Sequence, residues 1–225
     1  MIIRHLGRAD YVRTWHAMRE FNAQRNSDTD DELWMVEHPP VFTLGQAGRR
    51  AHLLAASDIP VVTTDRGGQI TYHGPGQVVA YPLLDLRRLR IYVKELVFRI
   101  EQSVIQTLQI YGVDGRRVAG APGVFTPWLS EALAPFNGVA KIAALGIKVA
   151  GGCSYHGVAL NVAMDLAPYA LIDPCGYAGL QVVDLATLGV EADCEDVAMH
   201  LSKRLQAHLS ALAPVQERVF ARLSA

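Results

Sequence analysis

The segment Arg66-Gly67-Gly68-Gln69-Ile70-Thr71-Tyr72-His73-Gly74-Pro75-Gly76-Gln77 sets four glycines and a proline around a short β-rich run, Gln69–Tyr72. Punctuation this dense forbids a continuous helix and calls for tight turns, so this part of the chain must be built from short strands. Further runs of the same kind lie at Glu32–Val36, Val41–Leu44, Val61–Thr64 and Gln77–Leu84, parted by His38-Pro39-Pro40 and by other glycines. Strand-like runs return at Gly123–Trp128, Lys141–Val149 and Tyr155–Val162, with Ser130–Val139 as a hairpin loop; the last run alternates as a central strand does.

Three amphipathic helices frame these strands. Tyr11, Trp15, Met18 and Phe21 recur at helical spacing behind a candidate N-cap, Asp10, and predict a helix over about residues 10–23. Leu96, Ile100, Val104 and Leu108 make one stripe from Tyr92 to Tyr111, widened by Val93, Val97 and Ile105 and stopped by Gly112. Val197, Leu201, Leu205 and Leu209 mark a last helix from Cys194 to Leu212. With no repeat or linker, 225 residues read as a single α+β domain, 1–225, whose mixed β-sheet is flanked by helices.

Composition narrows the functions open to such a domain. Lys and Arg number 21 against 22 Asp and Glu, so no bulk field draws the chain to nucleic acid or an anionic membrane. Any charged partner must meet a local patch, such as Arg49-Arg50, Arg87-Arg88 with Arg90, or Arg116-Arg117. The start Met1-Ile2-Ile3-Arg4-His5 carries no apolar export segment, and no apolar run approaches the length of a membrane span. Cys153, Cys175 and Cys194 form no disulfide framework and no zinc pair, which fits a reducing compartment and a cytoplasmic location.

Four clusters carry candidate chemistry. Arg66, Thr71, Tyr72 and His73 crowd the glycines, although a turn needs none of those side chains. Lys141 opens the apolar strand Lys141–Ile147, where a lysine either snorkels at a strand end or is held near an anion. Tyr155-His156-Gly157 repeats Tyr72-His73-Gly74, by chance or because two strand ends face one pocket. Asp173-Pro174-Cys175-Gly176 places a thiol in a turn, a setting open to a reactive sulfur or to a small buried side chain. Cys153, Cys175, His73 and His156 lack the paired spacing of a metal site, and no metal is expected.

Taken in order, Arg66–Gln77, Lys141–Gly146, Tyr155–Val162 and Pro174–Gly176 closely resemble the lipoyl/octanoyl transferases. The resemblance runs from Trp34 to Leu188 and includes His38–Gly45 and Tyr81–Leu86. It implies the biotin/lipoate protein ligase fold and transfer of an octanoyl group from octanoyl-acyl carrier protein to an acceptor lysine. The acceptors implied are apo lipoyl domains of 2-oxoacid dehydrogenases and the glycine cleavage H protein, in the first step of lipoate synthesis. It further implies that Cys175 carries the acyl group as a thioester and that Lys141 lowers the pKa of that thiol. Substrate contacts are implied at Arg66, Gly67, Gly68, Gln69, Ile70, Thr71, Tyr72 and His73, at Ala144, Leu145 and Gly146, and at Gly157, Val158 and Ala159.

Passing from thioester to amide is downhill, so no cofactor is expected. Backbone N–H groups near Gly157 and at Gly67-Gly68 are candidate oxyanion donors. Val78, Leu145, Val158 and Leu160 are candidates for an acyl slot. Leu129–Ala140 departs from the resemblance, being longer than the tight turn that precedes such a lysine, and Cys153 is a second thiol to be excluded. Two other readings compete: an ATP-dependent lipoate or biotin protein ligase of the same fold, and a non-catalytic module that binds acyl carriers or lipoyl domains.

Overall fold

The computed structural model describes residues 1–129 and 135–210. In chain order its regular elements are β1 (Ile2–Arg8), α1 (Tyr11–Gln24), β2 (Glu32–Glu37), β3 (Val41–Leu44), β4 (Val61–Thr63), β5 (Ile70–His73) and β6 (Gln77–Leu83). They continue as α2 (Leu86–Leu89), α3 (Val93–Ile110), β7 (Arg116–Val118), β8 (Ala121–Pro127), β9 (Val139–Ala150), β10 (Cys153–Asn161) and α4 (Cys194–Leu209).

Seven strands form one sheet in the order β1-β2-β6-β10-β9-β8-β7, antiparallel except for the β1–β2 pair. A smaller sheet, β4-β3-β5, holds the glycine-flanked run as its strand β5. The architecture is therefore a mixed α+β fold with helices on the sheet, as the patterning implies. The hairpin joining β8 to β9 agrees with the reading of that connection, of which residues 130–134 lie outside the described part. The expected end of the last helix at Leu212 also lies outside it.

Helix periodicity translates directly into burial. Leu96, Ile100, Val104 and Leu108 of α3 and Val197, Leu201, Leu205 and Leu209 of α4 are all fully buried in one core, against Leu33, Val78, Ala143, Val158 and Leu160 of the sheet. Helix α1 covers the opposite face, packing Met18 with Trp15 and Phe21 on Trp34, Val79, Tyr81 and Ala159. Its N-cap is Asp10, whose carboxylate accepts the Arg13 N–H at 2.9 Å. Helix α3 ends where Gly112 takes φ +71°, a turn glycine adopts without cost.

Strand β1 was not foreseen, because it buries no face. Its residues are exposed apart from a half-buried Ile3, so no alternation betrays it; it is an edge strand tied to β2 by parallel pairing and the Arg4–Glu32 ion pair. Strand β10 is the reverse case, with all nine residues buried between β6 and β9. At Gly157 the neighbouring strand comes so close that a Cβ would lie 1.8 Å from the Ala80 carbonyl oxygen. That atom is backbone and cannot swing aside. Gly157→Ala is expected to lower stability by about 2–3 kcal/mol and Tm by about 5–10 °C, to be read by thermal unfolding followed by circular dichroism.

Candidate active site

A cavity of about 300 Å³ lies where the β9–β10 hairpin, the glycine-rich loop before β5 and the turn Pro174–Gly176 converge. Its wall includes Cys175 and Lys141 together. The pairing comes from backbone: the Lys141 N–H donates to the Gln181 carbonyl at 2.9 Å and the Val183 N–H to the Lys141 carbonyl at 3.0 Å, zipping the chain after Cys175 onto β9. Lys141 Nζ then lies 3.1 Å from Cys175 Sγ, across 34 residues of sequence.

Lys141 is 3% exposed. Its ammonium also donates to the Pro122 carbonyl at 3.1 Å and lies 4.9 Å from the centroid of the Phe125 ring. Among the described residues no carboxylate pairs with it, so the sulfur is the atom best placed to answer its charge. Cys175 itself has φ 56° and ψ 20°, a left-handed conformation that costs a non-glycine residue about 1–2 kcal/mol. The turn is held by Gly176 N–H to Asp173 O at 2.8 Å and Asp173 N–H to His52 O at 2.9 Å. Gly176 takes φ +73°, and a Cβ there would displace the Gln69 carboxamide from its present place.

Arg66 is buried, and its guanidinium is consumed by the loop it belongs to. It donates to the Thr43 hydroxyl and carbonyl, to the Gly67 carbonyl and to the Gln69 carbonyl at 2.6–3.1 Å. Gly67, Gly68, Gln69, Ile70, Thr71 and His73 line the cavity with it, as do Ala144, Leu145, Gly146, Gly157, Val158 and Ala159. Tyr72 does not. Its ring packs elsewhere, 5.6 Å from the rings of Phe42 and Tyr169. The expected donor at Gly67 is also lost, because its N–H is committed to the Ile147 carbonyl at 3.0 Å.

Val78 and Leu160 pair across β6 and β10 in the core that holds α3 and α4, and neither lines the cavity, whereas Val158 of the same core does. Val79, Tyr81 and Ile147 line the cavity in their place. Val93 and Val97, read as core positions of α3, line it too; Val93 is 44% exposed. Cys153 is excluded by register: it pairs with Ala150, nine residues along β9 from Lys141, or about 30 Å at ~3.4 Å per residue. Cys194 begins α4, where burial raises its thiol pKa to about 11.

Residues 10–206 match the model of the lipoyl protein ligase A/B catalytic domain. The chain belongs to this family. It is 58% identical to the octanoyltransferase of Methylibium petroleiphilum over 92% of this chain and 97% of that one. The octanoyltransferase of Paraburkholderia phytofirmans is 60% identical over 93% of this chain and 86% of its own. The bipartite lipoate protein ligase of Thermoplasma acidophilum shares the fold at a TM-score of 0.69 and 15% identity, covering 92% of this chain and 83% of that one.

Within this lipoyl protein ligase A/B domain the two Tyr-His-Gly strings do reach one cavity, since both His73 and His156 line it. Neither imidazole is free to act as a base near neutrality. Burial holds His73 at a pKa of about 3, with Nδ1 against Gln77 Oε1 at 2.8 Å and the ring stacked on Tyr11. Burial likewise brings His156 to about 4, with Nε2 on Asp65 Oδ1 at 2.9 Å. That carboxylate also accepts Trp15 Nε1 and the Tyr155 hydroxyl, a half-buried polar set that sequence reading missed.

Among the described residues no cluster of three or more His, Cys, Asp or Glu side chains is placed to hold a metal. Several of the arginines singled out as a docking surface are paired locally, Arg87 with Asp85, Arg88 with Asp31, Arg116 with Asp114 and Arg117 with Glu101. From the long connection before β9, Phe136 returns to stack on Phe125 and to meet Tyr177 edge-on at 4.7 Å, next to the Cys175 turn.

The neutral histidines set a pH dependence of stability. Unfolded, each imidazole titrates near 6.5; folded, each stays neutral well below that, so the unfolded chain binds more protons under acid. Stability from these groups is complete above pH ~6.5 and falls as pH drops toward ~4, at up to about 1.4 kcal/mol per pH unit for each. Urea unfolding between pH 7 and 5 is expected to show this loss, and His156→Gln to reduce its slope.

Proposed function

We propose that this chain is an octanoyltransferase that carries an octanoyl group on Cys175 as a thioester and delivers it to the lysine of a lipoyl domain. The observation that carries this reading is the buried ammonium 3.1 Å from a thiol at an otherwise mainly apolar cavity. The octanoyltransferase names of relatives 58% and 60% identical support the same substrate class. The donor is octanoyl-acyl carrier protein, and the acceptors are apo lipoyl domains of 2-oxoacid dehydrogenases and the glycine cleavage H protein.

The geometry suits both halves of such a transfer. An ordinary thiol is only about 3% thiolate at pH 7, and thioester exchange needs the thiolate. An ammonium in contact stabilises that anion. The Cys175 thiolate attacks the donor's thioester carbonyl, the carbon–sulfur bond to the carrier breaks, and the departing thiolate takes a proton from Lys141. Lys141 is then neutral. When the acceptor lysine's amine attacks the acyl-enzyme, Lys141 takes back a proton from its nitrogen, and the tetrahedral adduct collapses to the amide with Cys175 as leaving thiolate. Proton and charge return to their starting places. Leu145, Ile147, Val158 and Ala159 offer the saturated chain apolar wall that requires no polar partner.

An adenylating ligase of the same fold has no use for a nucleophilic sulfur, and a passive binding module has no use for a lysine buried against one. Residues 1–225 then act as one catalytic domain. Among the described residues no helix is long and apolar enough to cross a membrane, in keeping with work in the cytoplasm.

Intact-mass measurement after incubation with octanoyl-acyl carrier protein, without ATP, tests the reading. An octanoyl adduct of about 126 Da should form on the wild type and on Cys153→Ser, be absent from Cys175→Ser, and pass to added apo lipoyl domain. Lys141→Ala should slow its formation by ~10²–10⁴-fold. Modification that requires ATP and free octanoate would establish the ligase instead.

A further inference from the structure

The peptide unit joining Pro122 to Gly123 is hydrogen-bonded at both ends. Its carbonyl accepts Lys141 Nζ at 3.1 Å, and its N–H donates to Glu101 Oε1 at 3.0 Å. Glu101 stands on α3, 6% exposed, and its other oxygen accepts Arg117 Nε at 2.9 Å. A single peptide plane therefore lies between a buried carboxylate and the buried ammonium that meets Cys175.

We propose that Glu101 is a positioning residue for the transfer reaction, fixing the Pro122–Gly123 peptide so that its carbonyl holds the Lys141 ammonium against Cys175. The inference rests on the reading of Lys141 and Cys175 as a working pair. Gly123, paired with Ala144 just before β8 and β9 shift register between Val124 and Phe125, adopts φ +122°. Glycine there has a wide choice of backbone states, so the direction of the carbonyl is set by what its partners hold. Any Cβ on Gly123 would lie 2.5 Å from the Ala143 carbonyl oxygen and 3.3 Å from Lys141 Nζ. Only a bare backbone fits beside the lysine.

A bond to a carboxylate also draws charge along the amide, making the carbonyl a better acceptor for the ammonium at its other end. Anchoring Arg117 does not account for Glu101. Arg117 also donates to the Phe98 carbonyl at 3.0 Å and to Gln102 Oε1 at 3.1 Å, and its guanidinium lies over the Phe98 ring.

The test compares Glu101→Ala, Glu101→Leu and Glu101→Gln in the full chain, each alone and on Lys141→Ala. The readout is the rate of Cys175 alkylation by iodoacetamide against pH. Arg66 and Tyr169, the other ionisable groups whose charge bears on Cys175, are unchanged in all of them. Glu101→Ala and Glu101→Leu are expected to slow alkylation at pH 7 by ~10-fold and to move the profile to higher pH, with no further loss on Lys141→Ala. Glu101→Gln keeps an acceptor and should recover to within ~3-fold of wild type, with a small shift in the same direction.

A profile that stays in place while thermal stability falls would show a purely structural ion pair and overturn the proposal, as would equal losses with and without Lys141. If neither truncation folds, Glu101→Gln decides, because only the relay predicts a shifted profile there. The octanoyl adduct test with Cys175→Ser, read separately, tells failure of this inference from failure of the transferase reading.

Discussion

Lys141 brings an ammonium into the interior, and removing such a charge from water costs several kcal/mol unless something answers it. A carboxylate would do so most simply. Here the neighbours are instead a backbone carbonyl, an aromatic face and a thiol. Among the described residues that choice pairs the positive charge with no fixed carboxylate, and the proposed reaction uses it to answer an anion made and unmade at Cys175. Much of the local architecture follows from keeping those atoms together: the backbone pairing of Lys141 with Gln181 and Val183, the glycine at position 123 and the left-handed turn at Cys175. The sheet supplies rigidity on the lysine side, while the cysteine is delivered by a short turn pinned to its neighbours by hydrogen bonds.

The same economy governs the remaining polar groups of the cavity. Arg66 looks like a substrate-binding residue in the sequence, yet its donors hold Thr43, Gly67 and Gln69, so it shapes the wall rather than reaching into the space. Gln77 receives His73 and passes a hydrogen bond on to Asn161, which in turn holds the Val183 carbonyl. Val183 is the residue whose N–H bonds to Lys141, so β5, which carries His73, and the strand carrying the lysine are tied into one frame. Buried polar networks of this kind favour one arrangement over near alternatives, because each broken bond would leave another group unsatisfied.

The helices were legible because their apolar stripes face a single core: the periodic positions of α3 and α4 are the buried ones. Strand β1 was illegible because it buries no face. Misplaced cavity residues lie where burial is uninformative. Tyr72, Val78 and Leu160 are in strands buried on both faces, so composition does not reveal which side chains meet the cavity. Val93 and Val97 were assigned to the core because a helical stripe records apolar surroundings, and a cavity wall is apolar too. The meeting of Cys175 with Lys141 was visible only through resemblance, since no spacing rule joins residues 34 apart on different elements. Glu101 gave no signal at all. A glutamate in a helix reads as a solvated charge, and the backbone N–H that meets it here belongs to β8, a strand that follows later in the chain.

The fold shared with the Thermoplasma ligase shows why residue-level geometry, rather than architecture, must carry the functional argument. The same layers serve a lipoate protein ligase and, in the proposed reaction, a transfer from thioester to amide. What separates the two chemistries is the state of the group at the cavity mouth. A carrier thioester arrives already activated, so the receiving atom must match its leaving group, and thiolate for thiolate is a near-even exchange that can run toward the acyl-enzyme or back. Commitment comes only with amide formation, when the attacking amine gives up a proton. In the proposed reaction a lysine made neutral by the first half-reaction, and placed beside the same sulfur, takes that proton. In the proposed reaction the cation that answers the thiolate and the proton acceptor of the second step are one side chain, and a fixed carboxylate beside Lys141 would compete with both roles.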